Sequence, residues 1–207
     1  MFRTLLLTLL IGSSLVAVAE DEFRPGRHYE KITPPVETEV GEGKVEVVEM
    51  FWYGCPHCYE FEPAIKQWLE HKPDNIEFVR VPAVFAHNWE IHARAFYAAQ
   101  QLGILDKTHG ALFDALHKER RRLFDEDALA TFYAGFGVTE QQFRDAYESF
   151  DVDTKVRHAV ALTRKYGISG VPAMIVDGTW RTGTQQAGDY ENVLKVVDFL
   201  AAKDKDR

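Results

Sequence analysis

Between Lys44 and Trp52 the chain reads KVEVVEMFW, a run of β-branched and aromatic residues dense enough for a central strand. Pro56 then opens a stretch in which Phe61, Ile65, Trp68 and Leu69 fall on one helical face, and a proline suits the first helical position. Pro63 lies inside that helix and is expected to kink it, because it removes a backbone donor and crowds the turn before it. Ile76 to Val81 predicts the next strand. Strand, helix and strand in this order make a parallel βαβ unit. The preceding residues 20–43 are rich in proline, glycine and charge, with room for a short strand at Tyr29 to Thr33.

From Ala86 to Gly167 the apolar spacing is helical throughout. Trp89, His92, Phe96 and Ala99 form one face, and Leu112, Phe113 and Leu116 another. Asp125 is placed to cap a helix carrying Leu129, Phe132 and Tyr133, and Gly135 or Gly137 to end it. Thr139 with Gln142 spells a capping box, and Asp153 is expected to start a further helix with Val156, Val160 and Thr163 inward. Strand signals return at Ala173 to Val176, followed by the hairpin pair Asp177-Gly178 and a partner at Thr179 to Thr182. Asp189 then caps a last helix with Val193, Leu194, Val197 and Leu200 on its inner face. The expected organisation is an α/β domain formed by 20–85 and 168–207, split by an inserted helical subdomain at 86–167.

The first 19 residues read as a cleaved secretory signal. Arg3 is the positive charge, Leu5 to Val18 the apolar stretch and Ala17-Val18-Ala19 the small-residue cleavage pattern. A membrane span needs ~20 apolar residues, and this run is shorter, holds Gly12, Ser13 and Ser14, and meets Glu20-Asp21-Glu22. The mature chain is therefore expected to be soluble and outside the cytosol, where disulfides persist. The full chain is acidic, with a net charge of −8, which argues against a nucleic-acid partner. With 46% hydrophobic and 27% charged residues, disorder throughout is excluded. Two cysteines among 207 residues exclude a multi-disulfide scaffold and a four-cysteine zinc site.

Those two cysteines carry the chemistry. Cys55-Pro56-His57-Cys58 falls where the central strand ends and the helix begins. The unpaired amides and the dipole of a helix N-terminus favour negative charge, so the Cys55 thiolate is stabilised there. His57 can add a donor or a positive charge beside it. A stabilised thiolate favours the reduced state, which makes the disulfide form an oxidant. Cys58, one turn on, is placed to be shielded and to act as the resolving thiol. A purely structural bridge would close too short a loop to stabilise much, and a metal would need two further ligands.

Glu49 lies in the central strand, six residues before Cys55, and faces the opposite way from Glu46. Burial of a carboxylate raises its pKa, which suits a proton relay for thiol exchange. Met50, Phe51, Trp52 and Tyr53 offer an apolar docking surface, although Phe51 reads better as core. Lys118 to Arg122, KERRR, reads as a solvated helix face. Gly170-Val171-Pro172-Ala173 precedes the late strand, where a proline is tolerated; on its own it is an ordinary strand start.

The run from Glu49 to Tyr59, with its Cys-Pro-His-Cys, the helical insertion and Gly170-Val171-Pro172-Ala173 together resemble the DsbA family of periplasmic thiol:disulfide interchange proteins, within the thioredoxin superfamily. The resemblance implies an α/β, thioredoxin-like fold with an inserted α-helical subdomain. It also implies that Cys55 and Cys58 form a redox-active disulfide in which Cys55 is attacked and Cys58 resolves. Pro56 and His57 would tune its potential, Glu49 would be the family's buried acid, and Val171 and a cis Pro172 would hold substrate. The implied partners are folding secreted proteins with free cysteines and the membrane reoxidant DsbB, with no cofactor, no metal and a monomeric chain. Trp52-Tyr53-Gly54 departs from the best-known members, and no second cysteine pair is present. An isomerase or reductase of the same fold is the nearest alternative. The isomerases add a dimerisation domain, for which the 24 residues between Ala19 and Lys44 leave no room. A non-redox peptide-binding holdase is the alternative from another class, and a metal carrier the weakest.

Overall fold

The structure, a computed structural model, describes residues 23–204. The expected signal at 1–19 lies outside the described residues. Five strands form one sheet: β1 (Glu30–Lys31), β2 (Val45–Phe51), β3 (Ile76–Pro82), β4 (Ala173–Val176) and β5 (Trp180–Thr182), in the order β1-β5-β4-β2-β3. Only β2 and β3 run parallel, joined by α1 (Pro56–Leu69) as the βαβ pattern predicts. Every other neighbour is antiparallel. Five helices stand between β3 and β4: α2 (His87–Gln101), α3 (Leu105–His117), α4 (Glu126–Ala134), α5 (Glu140–Tyr147) and α6 (Phe150–Lys165). A one-turn α7 (Thr184–Ala187), which the sequence pattern does not announce, and α8 (Tyr190–Asp204) close the chain.

Strand alternation sorts the sheet into two apolar faces. Val45 and Val47 of β2, with Met174 and Val176 of β4, pack against Phe61, Ile65 and Trp68 of α1 and Val193, Val197 and Leu200 of α8. Val48 and Met50, with Ala173 and Ile175, turn the other way into a core shared with α2 to α6. The hairpin is set by Asp177 and Gly178, both left-handed at φ 49° and 56°, as a two-residue turn between right-twisted strands requires. Gly178 is irreplaceable for a second reason, since a Cβ there would lie 1.9 Å from the Val36 carbonyl oxygen.

The caps at Asp125, Thr139 and Asp189 form as expected, the second as a full capping box with Gln142. Three expectations are corrected. Helix α6 starts at Phe150, not Asp153, because the Ser149 hydroxyl accepts from the Val152 amide; Asp153 sits in the first turn and pairs with Arg94 at 2.6 Å. Its inner face is Val152, Val156, Ala159 and Thr163, with Val160 half-buried. Lys118 to Arg122 is exposed but not helical: Lys118 caps α3, and Arg120 takes φ 57°, which ends any helix. Pro63 lies inside α1, where the sequence places it, and the helix runs on to Leu69.

Candidate active site

Cys55 is the N-cap of α1, at φ −92° and ψ 118°, with Pro56 at the first helical position. Its Sγ makes no conventional capping hydrogen bond, yet the Cys55 thiol is held down to about 6. The largest cause is donation from the Cys58 thiol; the amides of Cys58 and His57 and the His57 charge add to it against partial burial. The His57 charge contributes least; the ring is mostly exposed and its Nδ1 lies 3.3 Å from Glu60 Oε2. Cys58 is fully buried, and burial together with the neighbouring Cys55 pushes its thiol up. One thiol is therefore acidic and half-exposed, the other proton-holding and closed to solvent. Both are free in this structure.

Across from Cys55 stands the loop that leads into β4. The Val171-Pro172 bond is cis, and the Cys55 thiol donates to the Val171 carbonyl oxygen at 3.6 Å. This approach is fixed by the sheet: Met50 near the end of β2 pairs with Ala173 at the start of β4, so both segments leave from one rung.

Beneath the thiols lies a polar chain that sequence reasoning found only at its first member. Glu49 is completely buried, and burial pushes its carboxyl up to about 8 despite the Arg80 guanidinium at 3.1 Å from Oε2. Its Oε1 has no partner within the protein. Arg80 also donates to Glu62 at 3.3 Å, and Glu62 faces His109 Nε2 at 3.1 Å. The Tyr53 hydroxyl ends the chain, 2.8 Å from His109 Nδ1. Arg80 and His109 keep Glu62 below the usual carboxylate range, although burial works against them. His109, buried, is shifted toward its neutral form. A neutral ring fits the contacts as donor from Nε2 to Glu62 and acceptor at Nδ1 from Tyr53. Signals for two members were present in the sequence. Arg80 stands opposite Glu49 in the parallel β2–β3 register, and Glu62 follows Cys58 by four residues on α1, hence on the same face. His109, on α3, carried no such signal.

Of the four residues considered for an apolar docking surface, Met50, Phe51 and Tyr53 are wholly buried and belong to the core. Only Trp52 keeps some exposure, and it lies against Trp89. The correction follows from α2 and α3 closing over the end of β2, which brings Phe96 and Phe113 against Phe51. Among the described residues, no three or more His, Cys, Asp or Glu side chains gather as a metal site would require. No helix among them is long and apolar enough to cross a membrane.

An α/β sheet that sets an acidic cysteine at a helix N-terminus, a buried partner thiol one turn on and a proline loop across from both defines a thiol:disulfide oxidoreductase. Residues 46–195 match the family model of the DSBA-like thioredoxin domain, and the chain belongs to that family. It is 39% identical over 206 residues to the thiol:disulfide interchange protein DsbA of Pseudomonas aeruginosa, covering 98% of this chain and 97% of that one. The DsbA of Azotobacter vinelandii is likewise 39% identical, with 99% of each covered. The crystal structure of Pseudomonas aeruginosa DsbA superposes with a TM-score of 0.84 over 90% of this chain and 96% of that one. That of the Xylella fastidiosa oxidoreductase DsbA, 32% identical, gives 0.81 over 87% and 96%. The fold and the disulfide chemistry expected from the sequence are borne out.

Proposed function

We propose that this oxidoreductase works as an oxidase in the periplasm, passing the Cys55–Cys58 disulfide to newly secreted proteins with free cysteines. The observation that carries this direction is the division of labour between the thiols, one held down to about 6 and the other pushed up. A substrate thiolate attacks Cys55 Sγ of the disulfide, forming a mixed disulfide and releasing Cys58 as a thiolate. Buried as it is, that sulfur takes a proton, and Glu49, pushed up to about 8 and so mostly protonated at neutral pH, is the donor beneath it. A second substrate thiolate then attacks the substrate sulfur of the mixed disulfide. Cys55 leaves as the stabilised thiolate, the substrate is oxidised by two electrons and the enzyme is reduced by two.

In this reading Pro56 starts the helix that stabilises Cys55, and the His57 amide and ring tune it. Val171 offers its backbone to an extended substrate, with Pro172 holding the loop in place. Residues 86–167 act as an inserted helical subdomain covering one side of the site. Reoxidation falls to a membrane partner of the DsbB type, and the chain acts as a monomer without cofactor, metal or nucleic acid. The test is equilibration of the Cys55–Cys58 pair with glutathione buffers. A potential well above that of the glutathione pool is the expected result; a potential near that of thioredoxin would make the protein a reductase instead.

A further inference from the structure

Arg181 lies in the middle of β5, directly across from Glu30 of β1 in the antiparallel register. Its Nε donates to Glu30 Oε2 at 2.9 Å, and Nη2 donates to the same oxygen. Its Nη1 donates to the Tyr166 carbonyl at 2.9 Å and to the Gly167 carbonyl. Tyr166 is the C-cap of α6, so one guanidinium satisfies two orphan carbonyls at that helix end and a carboxylate on a neighbouring strand. Gly167 is left-handed at φ 60°, and a Cβ on it would lie 2.5 Å from Arg181 Nη1. The guanidinium can reach both carbonyls only because that position is bare.

Five residues beyond Gly167 is Pro172. The connecting loop is therefore held at both ends, by Arg181 at Gly167 and by the Ala173–Met50 pairing of β4 with β2. Between those ties the Val171 carbonyl is presented to Cys55. A groove of about 520 Å³ is lined by this loop together with Glu30, Arg181, Gln186 and His57. The ion pair forms wall as well as anchor, since both side chains keep partial exposure. With its charges matched, that wall suits an extended polypeptide segment with polar side chains rather than a charged small molecule.

We propose that the Arg181–Glu30 pair is a positioning clasp, which fixes the 167–172 loop for the polypeptide flanking a substrate cysteine and takes no part in the thiol chemistry itself. The inference rests on the reading of Val171 and Pro172 as substrate-holding. A plain helix cap would affect stability alone; a clasp affects large substrates selectively, because a small thiol reaches Cys55 without the groove.

The experiment compares two reductants of the oxidised enzyme, an unfolded two-cysteine polypeptide and dithiothreitol, in R181K, E30Q, the double variant and P172A. Lysine keeps the charge but cannot serve the carboxylate and two carbonyls at once. In R181K the kcat/KM for the polypeptide is expected to fall about tenfold, mostly through KM, since a loosened loop misplaces the substrate. The dithiothreitol rate and the thiolate titration of Cys55 stay as in the parent. E30Q falls in the same direction, and the double variant is no worse than R181K, because the two residues act as one unit. A loss shared by both reductants, or by neither, overturns the clasp; melting of each variant separates this from simple unfolding. P172A distinguishes the two layers. If it spares the polypeptide rate, the loop does not hold substrate; if it lowers that rate while R181K does not, the loop stands and the clasp is wrong.

Discussion

Trp52, just past the end of β2, lies flat on Trp89 of α2, ring centroids 4.2 Å apart and planes inclined by 11°. Phe85 in turn meets Trp89 edge-on at 5.0 Å. The stack passes so close to the turn before Cys55 that a Cβ on Gly54 would fall 2.4 Å from the Trp52 ring. The Trp52 ring can give way only by disturbing its stack on Trp89. Gly54→Ala is therefore expected to lower stability by ~1–3 kcal/mol, the usual cost of forced overpacking. Denaturant unfolding followed by tryptophan fluorescence reads both the loss and the disturbed stack; an unchanged midpoint would show that the indole is free to move.

The acidity of Cys55 makes a prediction with a definite sign. Its thiol is held down from 9.0 to about 6 in the folded protein, so the stabilisation is complete above 9.0 and lost as the pH falls through about 6. The reduced protein should gain on the oxidised protein as the pH rises across that window and level off above it. Paired denaturation curves of the two redox forms measure the difference, and thiolate absorbance should give a midpoint near 6.

Glu49 contributes in the opposite sense. Burial pushes it from 4.5 up to about 8, so it is tolerated at low pH and becomes costly as the pH climbs between those values. In the oxidised protein, where neither cysteine titrates, Glu49→Gln should remove a destabilising slope of up to ~1.4 kcal/mol per pH unit, one proton's worth. The variant would then exceed the parent in stability at neutral pH while exchanging disulfides more slowly. Parallel slopes for the two proteins would mean that Glu49 stays ionised, paired with Arg80.

Tyr53→Phe keeps the ring packed on Phe51 and Phe113 but leaves the buried Nδ1 of His109 without its donor. An unsatisfied buried group of this kind costs ~1–3 kcal/mol. Urea unfolding should show that loss, and a shift near zero would show that water replaces the hydroxyl.

The sequence made most of the framework legible because it rests on local chemistry: β2 from its composition, α1 from Pro56 and its apolar face, the hairpin from Asp177-Gly178, and three helix starts from their caps. The start of α6 is not legible because Ser149 and Asp153 are both good capping residues, and in the fold Asp153 is held by Arg94 of another helix while Ser149 caps. The site divides in the same way. Cys55 and Cys58 announce themselves by spacing, whereas Glu62, Arg80 and His109 come from three different elements and meet only once β3 and α3 have packed. The burial of Tyr53 and Met50 was equally hidden, since a strand's alternation does not say what will cover its end.

The rung that joins Met50 to Ala173 also fixes an order of assembly. A chain emerging from its amino end can pair β2 with β3 early, but β2 waits more than a hundred residues for its other neighbour. Until β4 arrives, one flank of the strand leading to Cys55 is bare, and nothing stands opposite the sulfur. Helix and thiols are thus present in the young chain well before the loop that faces them. A chain stopped short of β4 would therefore carry the cysteine pair without the Val171–Pro172 loop that we propose holds its substrates.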